Sequence, residues 1–133
     1  RYEGVIFKRE QDPAAPKIRL TNGLAAPDMI QGPDGRFYLY YFMGGTKMIS
    51  VAVCDKPAGK YEFYGYVKYA DSTPIGKKEE PLQFDPGVLW MMMESCIFTQ
   101  ALPFREIPFC LMDPSRLSTV QCASSWIRQI CLL

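Results

Sequence analysis

The chain has 133 residues, room for one domain, with a net charge of +1 and 22% charged residues. That balance gives no basic footprint for nucleic acid or an anionic membrane surface, and no apolar run approaches the length of a membrane span. The absence of His excludes imidazole catalysis and His-ligated metals within the chain, and the five Cys fit no zinc or redox spacing.

Residues 1–8 alternate weakly through Tyr2, Val5 and Phe7 and predict a short strand. Asp12-Pro13-Ala14-Ala15-Pro16 then breaks regular structure, because proline fixes φ and supplies no donor. Four strands are predicted next, at short and even spacing. Residues 29–31 form a brief apolar piece after Pro27-Asp28, and residues 36–42 are strongly aromatic. Between them Asp34-Gly35 is a strong hairpin signal, since both residue types tolerate φ > 0. Gly44-Gly45 turns into a strand at residues 48–54, and the turn at residues 55–59 leads to an aromatic strand at residues 61–67. No segment carries a 3.6-residue apolar stripe, so the reading is all-β, an antiparallel meander. The aromatics of residues 36–42 read as packing core rather than as a surface platform.

A polar connection follows at residues 71–80, ending in Lys77-Lys78-Glu79-Glu80, which reads as a solvated loop. Residues 81–89 then repeat the earlier theme, with Asp85 after proline-rich apolar sequence and before a short apolar strand. Asp28 and Asp85 are 57 residues apart, a spacing within reach of one propeller blade. The repeat demands an Asp-Gly turn and a Tyr-Leu-Tyr strand next, and the chain instead reads Trp90-Met91-Met92-Met93-Glu94-Ser95-Cys96-Ile97-Phe98-Thr99.

Composition breaks at the same place. All ten Gly and all eight Tyr lie at or before Gly87, whereas both Trp and four of the five Cys lie at or after Trp90. Trp and Met have single codons, so residues 90–93 are encoded TGG ATG ATG ATG. Read two bases later, this stretch spells Asp-Asp-Asp-Gly, and the codons after it permit Ile-Val-Tyr-Leu-Tyr-Thr-Gly. Residues 119–131 can likewise be reread as an alternating, strand-like segment. The expectation is that one base was lost near Leu89. Residues 1–89 would then form the meaningful, partial domain, and residues 90–133 an irregular, poorly ordered, out-of-frame tail whose Cys carry no chemistry.

Ala26-Pro27-Asp28, Asp34-Gly35-Arg36-Phe37-Tyr38-Leu39-Tyr40-Tyr41, Ser50-Val51-Ala52-Val53-Cys54-Asp55 and Phe84-Asp85-Pro86-Gly87-Val88, in this order and spacing, resemble glycoside hydrolase family 43. Residues 58–66, Ala-Gly-Lys-Tyr-Glu-Phe-Tyr-Gly-Tyr, look like that family's second blade. The resemblance implies a five-bladed β-propeller, of which this chain carries one four-stranded blade and the start of the next. It also implies inverting hydrolysis of arabinofuranosides and xylosides in plant polysaccharides such as xylan. That chemistry takes a general base, a general acid and a third carboxylate that holds the acid's pKa up.

Carried over, Asp85 matches the third, pKa-modulating carboxylate, and Asp28 matches an acidic position near the funnel with a tentative substrate-binding role. Turn capping is the other reading of each. The family's general base belongs to a blade expected before Arg1, and its general acid, a Glu, to a blade expected beyond the tail. The isolated chain is therefore expected to be inactive. The resemblance implies no cofactor and no catalytic metal, leaves room for a structural cation in the funnel, and implies an arabinose- or xylose-containing glycan as partner, with no nucleic acid and no membrane. Location stays open, with the cytoplasm favoured by reduced thiols and the absence of a signal-peptide pattern, the chain beginning at Arg1 rather than Met. The alternative reading is a non-catalytic β module binding glycan or a partner protein through its aromatic strands.

Overall fold

A computed structural model describes residues 4–15, 23–69, 72–76, 84–91, 95–100, 110–112 and 119–122. A four-stranded antiparallel sheet runs in the order β1 (Leu24–Gln31), β2 (Phe37–Met43), β3 (Ile49–Cys54) and β4 (Glu62–Tyr66). A second sheet contains β5 (Lys68–Tyr69), β6 (Pro86–Met91), β7 (Ser95–Gln100), β8 (Cys110–Met112) and β9 (Thr119–Cys122), in the order β5-β9-β8-β7-β6. Among the described residues the only helical piece is a single 3-10 turn at Arg9–Gln11.

β2 explains why the first sheet needs cover on both sides. Its aromatic and branched side chains favour the pleat, and all of Tyr38 to Met43 are buried. Successive side chains leave opposite faces. Tyr38, Tyr40 and Phe42 pack with Ile30, Ile49, Val51, Val67 and Ile75 on one face. Leu39, Tyr41 and Met43 pack with Phe7, Ala15, Ala52 and Tyr61 on the other. The N-terminal segment thus covers the second face, while Val67, Ile75 and Val88 of β6 close on the first. A strand buried on both faces reads as a continuous apolar run, which is how β2 reads.

Three sequence expectations are refined. Residues 4–8 form no strand: Phe7 turns inward onto Tyr41, with ring centroids 5.1 Å apart, and the Tyr61 N–H donates to the Ile6 carbonyl at 2.8 Å. Side-chain packing, not strand pairing, decides that segment. The Asp34-Gly35 turn is also built differently. Gly35 N–H donates to the Gly32 carbonyl at 2.9 Å and Gly32 N–H to the Arg36 carbonyl at 2.7 Å. Pro33 and Asp34 are therefore the turn's central residues, and Gly35, at φ 80°, takes the left-handed position that closes the hairpin. Finally, the tail expected to be irregular contributes β7, β8 and β9 to the second sheet. Runs such as Cys96-Ile97-Phe98-Thr99 are strand-formers, and the exposed edge of β6 offers them a ladder. The rest of residues 92–133 lies outside the described residues, as does the charged stretch at residues 77–80.

Candidate functional site at the junction of two blades

β1 and β6 are edge strands of their sheets and lie side by side. The junction between them is where both sequence-predicted carboxylates sit. A bulge shapes the β1 side. Ala25 pairs with Phe42 and Asp28 with Tyr40, so β1 carries one extra residue across this step. Ala26 absorbs the irregularity at φ 48°, immediately before Pro27. Bulges re-aim side chains and increase local twist. Here the bulge directs Asp28 toward β6, where its Oδ2 accepts the Val88 N–H at 2.7 Å while Oδ1 accepts the Met29 N–H at 2.9 Å.

Asp85 opens β6 from the other side. Its backbone is also left-handed, φ 58°, again immediately before a proline. Non-glycine residues in this region cost about 1–3 kcal/mol and persist only where their surroundings enforce them. The surroundings here are identifiable. Phe84 meets Phe42 edge-on with centroids 5.1 Å apart, Pro86 is buried, and the Val88 amide is held by Asp28. Between these anchors the Asp85 side chain is exposed, and among the described residues its carboxyl makes no hydrogen bond or ion pair. A carboxylate delivered in this way can act on a neighbouring group through its charge. Alone it cannot supply the acid–base pair of hydrolysis.

The two positions do not correspond as their 57-residue spacing suggested. Matched by the left-handed residue before proline, Asp85 corresponds to Ala26, 59 residues earlier, and Asp28 to Gly87. The strand ladders agree with the 59-residue match, pairing Asp28 with Tyr40 and Gly87 with Thr99, so the two aspartates hold different positions in their blades.

A third carboxyl escaped the sequence reading. Asp12 lies in the segment read as a proline-rich breaker and is fully buried. Its Oδ1 accepts the Ala14 N–H at 2.8 Å, an Asx turn, and the Tyr66 hydroxyl at 3.4 Å. Its Oδ2 accepts the Tyr41 hydroxyl at 2.9 Å and the Ser50 hydroxyl at 2.8 Å. β2, β3 and β4 thus each send a hydroxyl to one side chain. Burial, reinforced by the charge of Asp12, pushes the Tyr41 hydroxyl far above its ordinary pKa, and Tyr66 is raised for the same reasons in the same order. This is a clasp between the N-terminal segment and the sheet, away from the β1–β6 junction. The only local signal for it was an Asp-Pro step, because its partners are spread over 54 residues of sequence.

At the opposite end of β1, Asp34 accepts from Arg36 Nε at 2.8 Å and from the Tyr38 hydroxyl at 2.7 Å. Burial first, then the hydrogen bond to Asp34, pushes Tyr38 up to about 12. The Arg36–Asp34 pair is exposed and contributes little to stability. Among the described residues no cluster of three or more Cys, Asp or Glu is arranged to hold a metal.

No protein-family model matches the chain. The chain is 52% identical over 104 residues to a xylosidase/arabinosidase of Thermoclostridium stercorarium, covering 77% of this chain and 22% of that protein. The likeness therefore runs past residue 89. Among solved structures, an endo-1,5-α-L-arabinanase from Thermotoga petrophila matches with a TM-score of 0.57 and 27% identity, over 73% of this chain and 25% of that one. The glycoside hydrolase family 43 YxiA protein from Bacillus licheniformis matches with a TM-score of 0.53 and 27% identity, over 69% of this chain and 23% of that one. This chain belongs to glycoside hydrolase family 43. Its first sheet is one blade of the family's five-bladed propeller, and β6 begins the next. The chain spans about a quarter or less of the length of the relatives it matches.

Proposed function

We propose that this chain supplies one blade, and one carboxylate of the catalytic centre, to an inverting glycoside hydrolase acting on arabinofuranosides or xylosides of plant polysaccharides. The observation that carries the reading is the exposed, left-handed Asp85 at the head of β6, held from both sides but with its carboxyl unoccupied by protein partners among the described residues. In this reading Asp85 faces a general acid from another blade. Its negative charge disfavours ionisation of that acid and keeps it protonated at working pH. The general base comes from another blade as well, so the chain alone hydrolyses nothing.

Asp28 takes a different part from the substrate contact expected of it. Its two carboxyl oxygens are engaged by the Val88 and Met29 amides. In the proposed site it positions Asp85, by tying β6 to β1 three residues further on. The alternative reading as a glycan-binding module loses β2 as its platform, because the aromatic side chains of that strand are buried in the blade, and retains the exposed Tyr64 of β4.

The test is Asp85→Asn in the complete enzyme that carries this segment, assayed on aryl arabinofuranosides and xylosides. Loss of the charge lowers the acid's pKa, so the alkaline limb of kcat/KM moves to lower pH. The rate falls by about 10²-fold or more, the usual contribution of a positioned acid. An unchanged alkaline limb, or turnover by the isolated chain, would defeat the assignment.

A further inference from the structure

The two left-handed residues before proline set the register between the blades. Ala26 before Pro27 and Asp85 before Pro86 lie 59 residues apart. On that offset the hairpin tip Gly32-Pro33-Asp34-Gly35 falls on residues 91–94, and Tyr38-Leu39-Tyr40 falls on residues 97–99. The β-strands agree, since β1 turns into β2 and β6 turns into β7 across the corresponding positions. Yet on that offset Met93 and Glu94 take the sequence slots of Asp34 and Gly35, and Gly35 has φ 80°. Such a backbone strongly favours glycine.

The codons remove the mismatch. Residues 90–93 can only be TGG ATG ATG ATG, and Glu94 begins with GA. Two bases on, the reading is GAT GAT GAT GGA, three aspartates and a glycine, with no alternative. The forced Asp-Gly falls on the slots of Asp34 and Gly35. Glycine is about 7% of ordinary sequence, so its arrival on this slot by chance is a one-in-fourteen event before any other position is considered. The same shift allows only Tyr or His at slot 97, only Leu, Ile or Phe at slot 98, and only Tyr or His at slot 99. The first blade has Tyr38-Leu39-Tyr40 there, the central strand whose alternate faces make both apolar clusters.

We propose that one base is missing from the coding DNA at the Trp90 codon, and that residues 91–133 are the second blade of the propeller translated out of frame. The restored blade carries an Asp-Gly hairpin tip and an aromatic central strand matching β2. The strands seen at β7 to β9 are what out-of-frame apolar sequence does beside the open edge of β6. This inference rests on the internal repeat and the genetic code, not on the hydrolase reading, and its test needs no enzyme assay.

Sequencing the gene through codons 85–133 decides it. The expected result is T as the third base of both the Cys96 and the Phe98 codons, which places Tyr at slots 97 and 99. The shifted frame should also run without a stop through slot 122. Because the present match already runs past residue 89, its translation over slots 91–122 should share more identities with the Thermoclostridium stercorarium xylosidase/arabinosidase than the printed residues do. A C in either third position, a stop before slot 122, or a shifted frame that shares no more identities with that relative than the printed residues overturns the proposal.

Discussion

Replacing Asp12 by Ala tests the clasp that holds the N-terminal segment on the blade. Asp12 is fully buried and receives an amide and two hydroxyls at 2.8–2.9 Å, with a third hydroxyl at 3.4 Å. Truncation leaves the Tyr41 and Ser50 hydroxyls without their acceptor in the interior. A buried donor stranded in this way costs about 1–3 kcal/mol. Water entering the vacated space offsets part of the cost of the two donors, so the expected loss is about 2–4 kcal/mol. Typical domains have 5–15 kcal/mol in total, so the change removes a large share of the stability. Urea unfolding followed by circular dichroism measures it, with Tyr41→Phe and the double variant completing a cycle. Tyr41→Phe alone removes one donor and should cost about 1 kcal/mol. In the cycle, the Tyr41→Phe effect should largely vanish once Asp12 is Ala. A loss under about 1 kcal/mol for Asp12→Ala, or strictly additive effects, would refute the clasp.

Three further outcomes are expected. Asp28→Ala leaves the Val88 amide without its acceptor at 2.7 Å, and charged hydrogen bonds contribute about 1.5–3 kcal/mol. Amide exchange at Val88 should accelerate accordingly, whereas unchanged protection would remove Asp28 as the tie between blades. Gly35→Ala has open space for the new methyl group but must hold φ 80°, so it should destabilise the chain by about 1 kcal/mol through backbone strain alone. A neutral result in urea unfolding would contradict the turn geometry. Alkali should unfold the blade through its tyrosines. Tyr38 is pushed to about 12, and Tyr41, Tyr61 and Tyr66 are also raised, burial being the first cause for each. The folded state therefore holds these protons more tightly than the unfolded chain, whose phenols titrate near 10. Their contribution is complete below pH 10 and declines as pH climbs from 10 toward 12. Tyrosinate absorbance should rise together with loss of the strand signal; if tyrosinate absorbance rises in full near pH 10 with the fold intact, the burial argument fails.

The strands and their order were legible in the sequence because each carries its own signal. Tyr38 to Phe42 is β-prone at every position, and Gly44-Gly45 marks the turn that follows it. The Asp34-Gly35 pair announced a hairpin, but which residue takes the left-handed position depended on hydrogen bonds from Gly32. Asp85 was marked as a candidate by its Phe-Asp-Pro-Gly setting. Its partner position was not, since two aspartates before short apolar runs look alike in sequence and only the strand ladders show which positions correspond.

What the sequence determined by itself is therefore the local content: an all-β meander, the family, the carboxylate at the head of the second blade, and the codon constraint at residues 90–93. Tertiary structure decided the rest. Asp12 became a clasp only when Tyr41, Ser50 and Tyr66 from three strands converged on it. Asp28 meets the Val88 amide of β6 at 2.7 Å only because the fold brings the two strands together. The physical reason is the same in both cases. Propensity and turn chemistry act over a few neighbouring residues, whereas a buried carboxyl takes its meaning from donors that the fold brings to it from dozens of residues away.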